Sequence, residues 1–223
     1  MKNLRMVAVC IFAITVAAAA VSAQMGMRQT PMPQGVFNPV VGSGAQYDIT
    51  SSAGTNTTMQ YTVVGKETDN GKNAYWIEWT MSGGPMGSTV MKMLFTVDGG
   101  NTVPSRMIMQ MAGRPPMEMP AQMNRAGSQQ PQPADIRKTW DNLGKESVTT
   151  PAGTFTCDHL RAKDGSSDTW VSDKLSPWGL VKHQGKDSTM VLTKVITDAK
   201  DKIVGTPVPF NPMQMMQQAQ PPQ

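Results

Sequence analysis

Residues 69–81 read Asp69-Asn70-Gly71-Lys72-Asn73-Ala74-Tyr75-Trp76-Ile77-Glu78-Trp79-Thr80-Met81. An Asn-Gly pair between two β-prone runs predicts a tight hairpin turn, because both central residues of that turn need φ > 0. After the turn the pattern has a period of two. Tyr75, Ile77 and Trp79 fall on one face, and Trp76, Glu78 and Thr80 on the other.

The same punctuation extends in both directions. Gln46–Ser52 and Thr58–Gly65 are short β-prone runs separated by Ala53-Gly54-Thr55-Asn56. Ser88–Val97 closes at Asp98-Gly99-Gly100-Asn101, and Thr102–Met111 returns, with Pro104 marking an edge or a bulge. In the second half Lys145–Thr150 and Thr154–Lys163 flank the turn Pro151-Ala152-Gly153. Asp168–Ser172, Leu180–Gln184 and Thr189–Thr197 follow, with Ser176-Pro177-Trp178-Gly179 as a further turn. One short helix is expected at Ala134–Leu143, with Asp135 in its first turn and Gly144 as its stop. Strands and helices do not alternate, which argues against a parallel α/β fold. The pattern predicts a mostly β protein: a single curved antiparallel sheet forming an open, unclosed barrel, with a loop or short helix over one side.

The ends differ in composition. Lys2 and Arg5 precede an apolar run from Met6 to Val21, and Val21-Ser22-Ala23 supplies small residues at −3 and −1. Residues 1–23 therefore read as a secretory signal peptide cleaved after Ala23. Its apolar run is short of the about 20 residues that a membrane span needs, and no second run follows. The mature chain is expected to be soluble and exported, periplasmic or extracellular, with no integral membrane span. Residues 24–45 read as a flexible lead-in, 46–197 as the β-domain with a Pro/Gln/Met-rich insert at 112–134, and 198–223 as a flexible tail. The net charge of +4 falls further once Lys2 and Arg5 leave, which gives no basis for a nucleic-acid partner. The composition leaves the oligomeric state open.

The densest motif lies in the second half. It runs Val148-Thr149-Thr150-Pro151-Ala152-Gly153-Thr154-Phe155-Thr156-Cys157, then Thr169-Trp170-Val171-Ser172, then Pro177-Trp178-Gly179-Leu180-Val181-Lys182. This order resembles a broad set of exported bacterial proteins of unknown function. They in turn are similar to the periplasmic lipoprotein-carrier and lipoprotein-receptor superfamily, the LolA/LolB-like fold. The resemblance implies a curved antiparallel sheet with a helical or loop segment over its mouth, a binding scaffold rather than a catalytic one. It is specific over about 145–197 and architectural over 46–111. The lid helices of the carriers have no visible counterpart in the insert.

Chemistry has few footholds. Cys157 is the only cysteine after the signal peptide. His159 lies two residues along the same strand face, roughly 7 Å away, too far to activate the thiol. One cysteine and two histidines, His159 and His183, fall short of the four ligands of a structural zinc site. No nucleophile elbow, phosphate-binding loop or dinucleotide fingerprint is present. The expectation is a protein without catalytic residues or cofactor, with Cys157 a buried thiol.

Methionine is the anomaly, at 20 residues. Met91 and Met93, then Met107, Met109 and Met111, then Met117, Met119 and Met123, recur at spacings that share a strand face. Three readings stand side by side. Methionines fill irregular core space. They make soft faces for varied apolar ligands. Their thioethers also favour Cu(I). For an apolar small molecule or a lipidated protein, the candidate lining is Trp76, Trp79, Met91, Met93, Phe95, Met107 and Met109. For copper, the exposed candidates are Met117, Met119 and Met123. An envelope structural protein without a small ligand is the remaining alternative.

Overall fold

The structure is a computed structural model that describes residues 34–82, 89–119 and 131–210. Residues 1–23, expected to be a signal peptide, and Met123 lie outside the described residues.

Strands dominate. They are β1 (Gly44–Ser51), β2 (Asn56–Asp69), β3 (Lys72–Ser82), β4 (Thr89–Asp98), β5 (Asn101–Met111) and β6 (Met117–Met119). Then come β7 (Gln132–Pro133), β8 (Asp141–Thr150), β9 (Gly153–Arg161), β10 (Ser167–Val171), β11 (Leu180–Gly185), β12 (Ser188–Ile196) and β13 (Val208–Pro209). All belong to one 13-stranded sheet in the order β13-β6-β5-β4-β3-β2-β1-β12-β11-β10-β9-β8, with β7 paired to β5. The sheet is not closed into a barrel. Neighbours pair antiparallel except at one margin, where β13 runs parallel to β6. No helix among the described residues is long and apolar enough to cross a membrane.

The Asn70-Gly71 turn forms as its sequence predicts, with φ of 50° and 77°. Alternation in β3 then divides the core. Ile77 and Trp79 join Tyr47, Met59, Tyr61, Met93 and Leu192 in the main buried cluster. Ala74 and Trp76 join Leu94, Ile108 and Ile203 in a second cluster on the opposite side of β3. Burial of each such side chain contributes roughly 1.5–3 kcal/mol, so the two-faced core is the principal source of stability. A third cluster unites Val36, Ile136, Leu160 and Val171, with Trp140 packed against it.

Bulges adjust the sheet at five registers. Each inserts one residue against an unbroken partner: Val64 in β2, Ser105 in β5, Leu143 in β8, Val181 in β11 and Thr193 in β12. The bulge at Ser105 stands beside Pro104, whose missing N–H makes a regular ladder costly there.

The structure is more regular than the sequence predicts in three places. The helix expected at Ala134–Leu143 is a single 3-10 turn, Ile136–Lys138, capped by the Asp135 side chain accepting the Arg137 N–H at 3.0 Å. From Asp141 the chain pairs with β9 instead, and that ladder satisfies the backbone groups facing β9. Gly144, expected as a helix stop, sits at the β8 bulge with φ of 111°. Within the insert, Met117–Met119 extends the sheet beyond β5 and Gln132–Pro133 adds a short pairing. Residues 120–130 lie outside the described residues.

The two end segments also carry described structure. The Val36 N–H donates to the Trp178 carbonyl at 2.8 Å, and Asn38 N–H to the Pro177 carbonyl at 2.8 Å. Phe37 packs its ring against Trp178, with centroids 4.9 Å apart. At the other end, residues 198–206 cross the Trp76 side of the sheet and bury Ile203 before β13 joins β6.

Candidate functional site

Period-two methionines on three consecutive strands come into register. Along one row Trp79, Met91, Met109 and Met117 are directly opposed on β3, β4, β5 and β6. Along the adjacent row Ile77, Met93, Met107 and Met119 are opposed in the same way. Directly opposed residues share a face, with Cβ atoms about 4.5–5.5 Å apart. Six methionines thus make a block two residues deep and three strands wide. Met93 is buried in the main cluster, whereas Met91, Met107, Met109, Met117 and Met119 are only half-buried. Met91 and Met107 pack against the core, so the block grades from interior outward to the β6 margin.

The seven residues expected to line an apolar pocket do not form one surface. Trp79, Met93 and Phe95 are buried core. Phe95 meets Trp178 edge-on, with centroids 5.6 Å apart and rings at 90°, inside an aromatic group that includes Phe37. Met91, Met107 and Met109 stand beside them in the block described above. Trp76 is separated from all of these, because it projects from the opposite face of β3 to Ile77 and Trp79. Its indole N–H donates to Glu67 Oε2 at 2.9 Å, and Lys92 Nζ and the Arg106 guanidinium each lie 5.2 Å from its ring. Arg106 also pairs with Glu118 at 2.7 Å, and Lys92 with Asp201 at 2.5 Å. Of the copper candidates, Met117 and Met119 sit beside Met109 and Met107, a juxtaposition that sequence spacing alone did not bring out.

Glu78 shares the Trp76 side and is fully buried. Its Oε2 accepts the Lys202 N–H at 2.8 Å, while Oε1 has no hydrogen-bond partner among the described residues. Burial pushes the carboxyl above its ordinary range. The Lys202 contact opposes that shift, and neighbouring Asp201 adds to it.

Cys157 is buried in the main cluster, and its Sγ–H donates to the Phe155 carbonyl at 3.6 Å. Burial, and then the nearby Glu146 and Asp158 carboxylates, push the thiol up to about 11. The histidines are engaged elsewhere. His159 stacks on Trp170, with centroids 4.4 Å apart, and its Nε2 is hydrogen-bonded to Asp168 at 2.9 Å. The Trp170 indole N–H donates to Glu146, and Lys182 Nζ lies 4.6 Å from the Trp170 ring. His183 Nδ1 is hydrogen-bonded to Thr169 Oγ1 at 2.8 Å, and burial lowers its affinity for a proton. Among the described residues no group of three or more His, Cys, Asp and Glu side chains gathers where a metal ion could be held.

A cleft of about 640 Å³ lies apart from the methionine block. Its floor is one cross-strand row in which Ile49 of β1 opposes Met190 of β12, and Met190 opposes His183 of β11. Leu180 extends the floor, Trp140 forms a wall, and the β9–β10 turn from Ala162 to Ser167 forms the rim. None of the residues singled out in the sequence for ligand or metal binding lines it. Ile49 and Met190 share strand faces with the buried Tyr47 and Leu192 and pack against their cluster.

No protein-family model matches the chain, and no curated protein matches it. Two solved structures are similar to it. One is a candidate lipoprotein from Parabacteroides distasonis, 16% identical, covering 74% of this chain and 100% of its own, with a TM-score of 0.38. The other is a candidate exported protein with a YmcC-like fold from Bacteroides fragilis, 15% identical, covering 73% of this chain and 99% of its own, with a TM-score of 0.38.

Proposed function

We propose that this is an exported, non-enzymatic binding protein whose ligand is apolar, a lipid or a lipidated protein. The observation that carries the reading is the half-buried methionine block on β4, β5 and β6. A core element would be expected to bury all six side chains, whereas five keep partial access to solvent. Unbranched, polarizable thioethers adapt to acyl chains of different length and shape. The signal peptide supplies the route to the envelope, where such ligands are abundant. The experiment is native mass spectrometry of the mature protein purified from its own envelope. An added mass that disappears on organic extraction and is recovered as lipid supports the reading. A bare polypeptide that also fails to take up a fluorescent phospholipid from vesicles overturns it.

A second reading rests on a narrower observation. Met107 opposes Met119 and Met109 opposes Met117, which sets four thioethers on adjoining strands. Soft sulfur ligands of that kind select Cu(I) over harder cations. In the same mass spectra a copper adduct, competed away by a Cu(I) chelator, favours this reading over the lipid.

A further inference from the structure

We infer that the cleft between Trp140 and the Ile49–Met190–His183 row is a second binding site, for a single-chain amphiphile with an anionic head. The argument starts from its volume. At about 640 Å³ it falls within the roughly 300–1,000 Å³ of small-molecule sites, too small for a folded partner and sufficient for one chain.

Its chemistry is divided along its depth. Ile49, Leu180 and Met190 form an apolar floor, and the half-buried Trp140 closes one side. His183, also on the floor, is tied through Nδ1 to Thr169 and held toward its neutral form by burial, so it adds no opposing charge to that surface. The polar groups collect at the mouth, on the β9–β10 turn. There Asp164 is committed to the turn itself, accepting the Ser166 N–H at 2.9 Å and the Ser166 hydroxyl as well. Lys163 forms no ion pair with any described carboxylate, and it lines the mouth beside the hydroxyl of Ser167. One uncommitted cation beside the Ser167 hydroxyl, above an apolar floor, complements a carboxylate or phosphate on a hydrocarbon tail. It does not complement a cationic or a wholly apolar molecule.

This site is independent of the methionine block, and the test keeps them apart. The full mature chain is titrated with dodecanoate, with dodecyl maltoside as the neutral-headed control, by isothermal calorimetry. The expected result is saturable binding of dodecanoate at one site, at least tenfold tighter than the maltoside. Lys163→Ala should erase that preference while leaving the maltoside unchanged. Met190→Arg should abolish binding of both. If Met190→Arg fails to fold, Ser167→Phe at the half-buried rim blocks the cleft instead. Met109→Lys, in the methionine block, should leave dodecanoate binding as it was. Equal affinity for the two heads overturns the assignment of an anionic ligand. Binding that survives both cleft variants, or is lost in Met109→Lys alone, overturns the site. Gln34, the first described residue, also lines the cleft. A chain that binds dodecanoate only after residues 24–33 are removed would show the cleft to be filled by its own leading segment, which also overturns the proposal.

Discussion

The Glu78 carboxylate accepts the backbone N–H of Lys202 at 2.8 Å across 124 residues of sequence, and this contact fastens the 198–206 segment to the sheet. The acid is fully buried, and Lys92, Asp201 and Lys202 are the charged groups around it. Its pKa is raised in the folded state, chiefly by burial. Folding therefore binds a proton that the unfolded chain releases above its ordinary value of 4.5. The stability from Glu78 is complete below that value and is lost as pH rises through the folded-state pKa. Urea unfolding at pH 5 and pH 8 should show this decline. Glu78→Gln should remove it and leave the protein at least as stable as the parent at the higher pH.

Gly35 and Gly54 test two different uses of glycine. A Cβ on Gly35 would lie 2.0 Å from the Trp178 carbonyl oxygen, which is backbone and cannot move aside cheaply. Gly54 has φ of 77° with open space around it. Gly35→Ala is expected to cost roughly 1–3 kcal/mol through overpacking and to loosen the 34–38 segment. Gly54→Ala should cost about 1 kcal/mol through backbone strain alone. Denaturant midpoints give both values, and limited proteolysis before residue 44 should distinguish Gly35→Ala from Gly54→Ala.

Cys157 should be chemically silent. A buried thiol with its pKa pushed up to about 11 supplies little thiolate at neutral pH. Reaction with an aromatic disulfide reagent should be slow in buffer and immediate in urea. Cys157→Ser is expected to cost about 1–3 kcal/mol, because it places a hydroxyl in the main cluster. Ligand binding should be unaffected. Fast labelling of the native protein would contradict this account.

Met107→Leu combined with Met119→Leu separates the two readings of the methionine block. Each swap nearly conserves volume and should cost under about 1.5 kcal/mol. An apolar ligand should bind the double variant within about threefold of the parent, whereas Cu(I) should be lost with the sulfurs. Parallel titrations with phospholipid vesicles and with Cu(I) in competition with a chelator make the comparison.

The readable parts of this fold are those fixed by neighbours in sequence. Asn70-Gly71 sets its own turn, and the alternation of Tyr75, Ile77 and Trp79 with Trp76 and Glu78 determines which face each residue takes. The same alternation already separates Trp76 from Trp79, and grouping them as lining of one pocket ran against it. Other features depend on distant partners. Residues 141–144 have no strong local preference, and β9 decides that they are strand. Ile203 sits among Lys, Asp and Gly residues that read as tail, and the Trp76 cluster gives it a place. The cleft is assembled from six separate stretches of chain, so no local pattern could have outlined it.

The position of β1 has a consequence for the order in which the chain is put together. It pairs with β2 on one side and with β12 on the other, and Gln46 and Thr193 are bonded across 147 residues. β2 to β5 can zip together as successive hairpins, since each partner follows the last in sequence. The second side of β1 has nothing to bond until β12 has been made. Closure between the two halves is thus the long-range, slow event of folding. Until it happens β1 is a bare edge, open to strands of other molecules. A chain shortened before Ser188 would keep that edge permanently, and self-association rather than simple loss of stability would be its mode of failure.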